Sequence, residues 1–595
     1  MGWGRIVAWG VAVAVPVAFL GIFFVWPVSA LVGRGFWVEG ALDLGGFAEV
    51  FSQPRTWRIV GLTLAQGVLG TVLSVGLGVP GAYVLYRCSF RGQGVVRALV
   101  TVPFVLPTVV VGVAFRALLS ESGPLGWLGW DGTFAAIIAA LVFFNYSVVV
   151  RTVGGLWEHL DPRAEQAARA LGASPACAFR TVTLPALAPA IASAAAVVFL
   201  FCATAFGVVL VLGGQRYGTI ETEIWMQTVQ FLDLRTAAVL SVAQLVIVSL
   251  ALWVASRARS RREHALNLSA ATRSTHPLRL RGTRRPTAAV GSCSRSRGAG
   301  VLGDGALGDG ARGAGARRRA WFGADALPAF VTAVVVLVLL AWPLANLVAK
   351  SLRTASGWGL GNYAALGTTG GRNALTVTVW EAAATSLRTA AGATVIALVV
   401  GGLVALVVSR RPRAPRARRA ISVMDSVFML PLGVSAVTVG FGFLITLDKP
   451  LGLNVDLRTS GLLVPIAQAV VATPLVVRTV LPVLRAIDPR QREAAATLGA
   501  PPGRVLATVD WPIAARSLGL AIGFAFAVSL GEFGATSFLA RPETATLPIV
   551  IFRLIGKPGA ENYGMALAAS VVLALITATV MLLAERLRGE RTGEF

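Results

Sequence analysis

Apolar residues in this chain come in blocks of more than twenty, separated by shorter polar stretches. Six blocks lie at 6–32, 59–86, 97–119, 134–156, 186–213 and 236–256, and six more at 326–349, 385–408, 422–446, 460–484, 513–540 and 563–586. A helix rises about 1.5 Å per residue and the hydrocarbon core of a bilayer is about 30 Å thick, so each block is long enough to cross it. The pattern predicts an all-α integral membrane protein with twelve transmembrane helices. The first block follows Arg5 and carries Val28-Ser29-Ala30, faintly like a cleavage site. It is too long for a typical signal core and reads as a retained span.

The blocks repeat six by six. Val149-Val150-Arg151-Thr152-Val153, Asp161-Pro162-Arg163, Leu171-Gly172-Ala173 and Pro185 recur as Val476-Val477-Arg478-Thr479-Val480, Asp488-Pro489-Arg490, Leu498-Gly499-Ala500 and Pro512. Each pair lies 327 positions apart, as do Phe206-Gly207 and Phe533-Gly534, Thr219 and Thr546, and Ile224 and Ile551. A gap-free match of this length marks two copies of one unit. Earlier blocks correspond at a smaller offset, through Trp26-Pro27 and Trp342-Pro343, Leu106-Pro107 and Leu430-Pro431, and Pro124-Leu125-Gly126 and Pro450-Leu451-Gly452.

Composition agrees with a membrane protein, since only 14% of residues are charged and mean hydropathy is +0.73; a soluble domain has about a quarter charged. The net charge of +25 does not point to nucleic acid, because the arginines cluster between apolar blocks and not along one stripe. Arg87, Arg91 and Arg97 follow the second block; Arg410, Arg411, Arg413, Arg416, Arg418 and Arg419 follow the eighth. The stretch between the halves holds fifteen arginines and three acids. By the positive-inside rule these segments, both chain ends and both repeated stretches are cytoplasmic. Six spans return the chain to its starting side, so the halves are parallel and not inverted. The expected division is a first six-span domain at 1–256, a basic Gly/Arg-rich linker at 257–322 that lacks the apolar residues to fold, and a second six-span domain at 323–595. Cys88, Cys177, Cys202 and Cys293 are widely spaced and accompany only three histidines, which indicates neither a disulfide framework nor a zinc site.

The repeated stretch itself predicts a small helical hairpin. Asp161 and Asp488 can cap a helix that starts at Pro162 or Pro489, where a missing N–H costs nothing. Gly172 and Gly499 suit a left-handed C-cap, and Pro175 and Pro502 turn the chain into a second short helix that ends near Pro185 or Pro512. Alanine and glycine dominate the hairpin's surface, which admits close approach of another protein's backbone. One such loop in each half fits a two-fold partner. The alternative is that the loops pack against their own spans.

In these loops Glu493-Ala494-Ala495, Gly499 and Pro512 resemble the EAA motif of the membrane subunits of bacterial binding-protein-dependent ABC importers. In the first copy Gln166, Ala167, Ala168, Gly172 and Pro185 stand at the same places, with Gln166 where the motif has an acid and Glu165 one place early. Trp511 stands before Pro512 where leucine is commoner. The resemblance implies the fold of type I ABC importer transmembrane domains, with the loops as coupling helices docked on two copies of an ATP-binding subunit. It further implies a solute-binding protein outside the bacterial cytoplasmic membrane, and ATP and Mg held by the partner ATPase, with no cofactor on this chain. Fusion of two six-span units resembles the iron(III) and thiamine importer permeases. The thiamine permeases are the nearer likeness, through Ser529-Leu530-Gly531-Glu532-Phe533-Gly534-Ala535, Thr546-Leu547-Pro548 and Leu212-Gly213-Gly214. The cargo so implied is a small cationic solute: thiamine or a phosphate ester of it, then iron(III).

Glu532 stands out as an intramembrane acid, either lining the pathway or pairing with a neighbouring helix. Arg116 and Asn145 read as helix–helix hydrogen-bonding residues, and Arg151 and Arg478 as interfacial anchors. The segments 213–234 and 541–561 carry mixed charge and are expected outside the membrane, facing a solute-binding protein or simply solvated. There is no GxxxxGK[ST] loop and no nucleophile–base constellation, so the chain is expected to be a transporter and not an enzyme. The rival readings are an ion-coupled twelve-span secondary transporter, which calls for several buried acids or histidines and no docking loop, and a non-transporting membrane scaffold.

Overall fold

The computed structural model describes residues 3–38, 41–214, 216–260, 276–278, 325–354, 357–410, 414–448, 450 and 456–589. The expected linker falls almost wholly outside these residues, as do Cys293, Arg411, Arg413 and Leu451-Gly452. Among the described residues nine helices are long and apolar enough to cross a membrane, or eleven if each of two bent pairs counts as one span. The nine coincide with the first, second, fourth to eighth, tenth and twelfth expected spans.

The departures from twelve straight spans have local causes. In place of the third, Gln93–Val105 and Thr108–Leu119 meet at 108°. Between them Leu106 is extended and Pro107 has no N–H to continue the helix. The ninth block divides into Pro415–Met429, a 3-10 turn at Leu430–Leu432, and Ala436–Thr446. The last piece has 11 residues, a rise of about 16 Å, too short to cross alone. Pro431 interrupts this block, and Ser435 starts a new helix by accepting a 3.0 Å hydrogen bond from the Val437 N–H. The fifth block stops at Ala203 and restarts as Gly207–Gly213; the eleventh stops at Gly531 and restarts as Thr536–Leu539.

The two mixed-charge segments are corrected. Each contains a ten-residue helix, Ile220–Val229 and Leu547–Gly556, in matching repeat register, and in both most residues are buried. At the start of the first, the Thr222 hydroxyl accepts from the Thr219 N–H at 2.7 Å and the Thr63 hydroxyl from the Ile220 N–H at 3.1 Å, so these donors need no solvent. Cys88 and Cys202 are free and buried.

Four π-helical turns share one cause. Gly21–Val25, Phe179–Thr183, Val335–Ala341 and Leu506–Asp510 each run into a Trp-Pro or Leu-Pro pair at Pro27, Pro185, Pro343 or Pro512. Proline cannot donate to the carbonyl four residues back, and widening the turn relieves that loss. The repeated hairpins are reshaped accordingly, because the second short helix does not end at the proline. Pro175 onward runs unbroken through the π turn to Ala203 as one apolar helix.

The halves interlock reciprocally. The helix Trp26–Phe36 of the first half packs on Ala436–Thr446 of the second, while Trp342–Ser351 of the second packs on Thr108–Leu119 of the first. Likewise Trp3–Leu20 lies on Val379–Val408, and Ala326–Val334 on Pro54–Tyr86. Gly442 sits against Pro27, where an added Cβ would come within 3.0 Å of the proline ring. Each half therefore completes the other's core.

At the centre, residues in matching repeat register meet one another. Phe206 and Phe533 stack with centroids 5.4 Å apart and planes 20° apart. Trp225 and Phe552, also a register pair, meet edge-on at 6.1 Å. The lateral contacts Phe206–Trp225 and Phe533–Phe552 close a four-ring cluster. Contact between equivalent residues is the signature of a local two-fold axis, and the cluster sits on it. Aromatic pairs of this kind are worth about 0.5–1.5 kcal/mol beyond the area they bury. A double-mutant cycle on Phe206→Leu and Phe533→Leu, read from thermal unfolding in detergent, is expected to give a coupling of about 1 kcal/mol. Additive losses would place the axis elsewhere.

Candidate functional site

Beside the aromatic cluster lies a cavity of about 330 Å³ lined from both halves. Its walls are the broken places in the spans: Leu106-Pro107, Thr204–Phe206, Pro431 with Val434 to Val437, and Gly531–Gly534. The breaks and the cavity have one origin, because a helix that stops leaves its flanking backbone and side chains around open space. Five phenylalanines line it, Phe104, Phe144, Phe201, Phe206 and Phe533, with Asn145, Thr108, Thr204 and Ser435 as polar points. Among the described lining residues Glu532 is the one acid, and there is no lysine, arginine or histidine.

Glu532 is thus on the cavity wall, and its carboxylate is also used locally. One oxygen accepts from the Ala535 N–H at 2.7 Å; the other accepts from the Thr536 N–H at 3.0 Å and from the Thr536 hydroxyl. These bonds cap the short helix Thr536–Leu539 and hold the carboxylate in one orientation at the rim. Asn145 donates its Nδ2 to the Leu141 carbonyl at 2.9 Å and to Cys202 Sγ at 3.4 Å, so it joins two helices as well as lining the cavity.

A second buried acid lies in the segment 213–234, where mixed charge predicts an exposed loop. Glu221 is fully buried, accepting from Ser435 Oγ at 2.5 Å and from Gln244 Nε2 at 3.0 Å. Ser435 belongs to the other half and lines the cavity, so this bond crosses between the repeats immediately behind the wall. Its neighbour Glu223 is also buried and pairs with Arg55 at 3.0 Å. The repeat contained the missing signal: the partner segment Leu547-Pro548-Ile549-Val550-Ile551 is wholly apolar, which marks the register as buried in both copies.

The repeated loops have matching geometry. Asp161 accepts from the Arg163 N–H and Asp488 from the Arg490 N–H, both at 2.9 Å. The first loop helix, Arg163–Ala170, carries Gln166, Ala167 and Ala168; the second, Pro489–Thr497, carries Glu493, Ala494 and Ala495. Gly172 at φ +90° and Gly499 at φ +79° end them, with the Ala173 N–H on the Ala168 carbonyl and the Ala500 N–H on the Ala495 carbonyl. These are six-to-one closures in which a β-carbon at the glycine would be strained. Residue by residue from Ala164 to Ala173, exposure matches that from Gln491 to Ala500. Gln166 and Glu493 both face outward, and Pro185 and Pro512 are exposed at the second position of the helices that follow.

The tips hold what the alanine pattern did not reveal. Leu171 is 90% exposed and Leu498 88%, the two most exposed large apolar side chains among the described residues. Folding gains nothing from them, since neither is removed from water in this chain. An isolated exposed leucine is ordinary, but these two stand in matching register at the ends of capped hairpins as a pair of equivalent exposed points.

Residues 70–260 match the family described as "Binding-protein-dependent transport system inner membrane component". The chain is 25% identical over 563 residues to the thiamine transport system permease protein ThiP of Brucella abortus (strain 2308), covering 93% of this chain and 91% of that one. It is also 25% identical to ThiP of Escherichia coli (strain K12), with 90% of each chain covered. The sulfate transport system permease protein CysT of Escherichia coli (strain K12) is 29% identical over 39% of this chain and 84% of its own. Among solved structures, a bacterial ABC transporter involved in the import of the acidic polysaccharide alginate aligns with a TM-score of 0.37 at 17% identity, covering 42% of this chain and 93% of that one. The family match lies in the first repeat and the similarity to ThiP runs through both, so the chain resembles the fused two-domain permeases of ABC importers.

Proposed function

We propose that this permease carries thiamine through the membrane. The observation that supports this cargo is the cavity, with five phenylalanine rings, one fixed carboxylate and no basic side chain among its described lining residues. Ring faces and a carboxylate favour a planar cation, whereas an anion such as sulfate would find no counter-charge. Iron(III) would meet a single carboxylate, too few hard oxygen ligands to replace its shell. The ThiP relatives, aligned over nine-tenths of the chain, support the same cargo.

In this reading 1–256 and 323–595 are the two membrane domains, 257–322 links them, and both termini and both loops are cytoplasmic. Two copies of an ATP-binding subunit, which hold the ATP and Mg, dock on the tips at Leu171 and Leu498. A solute-binding protein delivers cargo from outside. ATP-driven closure of the subunits draws the loops together, and the halves rock about the axis through Phe206 and Phe533 so that the cavity changes sides.

Two experiments test the proposal. Uptake of labelled thiamine is expected to vanish in cells lacking this chain and equally in cells with the partner ATPase inactivated, with iron(III) uptake unchanged. Loss of iron(III) uptake instead would reassign the cargo, and uptake that needed the chain but not the ATPase would return the ion-coupled transporter. The docking role is tested with Leu498→Glu and Leu171→Glu. Because both side chains are solvent-exposed, each change is expected to shift stability by less than about 0.5 kcal/mol while lowering co-purification of the ATPase by about tenfold. Undiminished co-purification in the double variant would remove the loops as docking elements.

A further inference from the structure

The repeat also shows where the two loops are not alike. Position 165 in the first loop corresponds to 492 in the second, and position 183 to 510, both pairs 327 residues apart. In the first half these are Glu165 and Thr183, joined by a single bond in which the threonine hydroxyl donates to the carboxylate at 3.0 Å. In the second half they are Arg492 and Asp510, and the charge at each place has changed. Asp510 is 1% exposed and accepts from Arg492 Nε at 2.6 Å through one oxygen. Its other oxygen accepts from Arg410 Nη2, also at 2.6 Å. Arg492 additionally donates to the Leu484 carbonyl at 3.0 Å, at the end of the preceding span. Arg410 lies two residues beyond the helix Val379–Val408, and its guanidinium stands 5.7 Å from the Trp9 ring.

One buried carboxylate therefore ties the second loop helix to the turn that starts the next span, to the end of a span in its own half, and through Arg410 to the first helix of the chain. Charge-assisted bonds of this length are about twice as strong as neutral ones, and burial keeps solvent and salt from screening them. The neutral hydroxyl of Thr183 cannot hold two guanidiniums.

We propose that Asp510 is a positioning residue that clamps the second loop to the membrane helices, and that this loop is therefore the stiffer and dominant coupler of the two. The coupling half of this inference rests on the loops being ATPase-docking elements; the clamp half does not.

The clamp is tested without any partner, by hydrogen–deuterium exchange on the full chain in detergent. Amides of 489–498 are expected to exchange about tenfold faster in Asp510→Asn, corresponding to about 1.4 kcal/mol of lost protection. In Thr183→Ala those of 163–171 should change by less than about threefold. Asp510→Glu, which keeps the charge, should stay within about threefold of the native chain and guards against general misfolding. The double change Arg492→Glu with Asp510→Thr, which installs the first-half pair, should loosen the second loop to the level of the first. Coupling is then read in proteoliposomes with the ATPase subunits as solute moved per ATP hydrolysed. Asp510→Asn is expected to lower that ratio about tenfold, Thr183→Ala less than about threefold. Unchanged exchange in Asp510→Asn would overturn the clamp. Faster exchange with equal losses of coupling in the two variants would overturn the dominance of the second loop. Failure of the native chain to bind the ATPase at all would sink the docking reading and leave the clamp standing on its own result.

Discussion

The stack of Phe206 on Phe533 is the contact on which the rest depends. Two copies of one unit can be arranged in many ways, but a residue that touches its own repeat partner must lie on the axis relating them. With Trp225 and Phe552 alongside, four rings occupy that axis and leave no freedom for one half to slide against the other. The cavity follows from this placement. Both phenylalanines belong to the turns where the fifth and eleventh spans stop, so the rings that join the halves also roof the space the interrupted helices leave.

Two of the four interruptions are built into the chain by proline. Pro107 and Pro431 sit where the third and ninth blocks break, and four further prolines each widen the turn before them into a π helix. In a lipid setting every unpaired backbone group is costly, and non-helical backbone survives only where protein or a cavity surrounds it. Here the breaks face the axis, where the opposite half covers them: Gly531, which ends one helix, leaves room for an added Cβ only 3.1 Å from the Pro107 backbone. The reciprocal seating of each half's first helix on the other half extends the same covering to the outside of the bundle.

Much of this was legible beforehand, because membrane spans depend on composition over some twenty residues and a repeat needs only comparison. Helix position, the two-copy plan and the loop hairpins with Gly172 and Gly499 all rested on such local signals. The breaks at Pro107 and Pro431 are visible as prolines, yet a proline inside an apolar block is compatible with a kinked span as well as a broken one. The burial of Glu221 is hidden from the sequence for a different reason. Charge on a short segment argues for solvent unless a partner is known, and its partners, Ser435 and Gln244, lie 214 and 23 positions away. Glu532 was found as an intramembrane acid, but not its cap on Thr536, since a carboxylate four residues before a threonine has no fixed meaning until the chain turns there.

What the two halves share and what they do not divides by location. The exposed faces of the loops agree position by position, down to Leu171 and Leu498. The residues around the axis diverge: Glu532 stands opposite Ala205, Asn145 opposite Ala472, and Glu221 opposite Pro548 in the repeat register. Two equal ATP-binding subunits docked on the loops, as proposed above, would hold both loops to one shape. A small solute has no two-fold symmetry, so a cavity on the axis can give it a single orientation only if the repeats contribute unequal groups. Fusion of the copies into one chain permits that inequality, because each position can change without altering its counterpart. Glu532 on the cavity wall and the change of charge at the loop roots are both products of that freedom, one placed at the cavity and the other where the second loop is held.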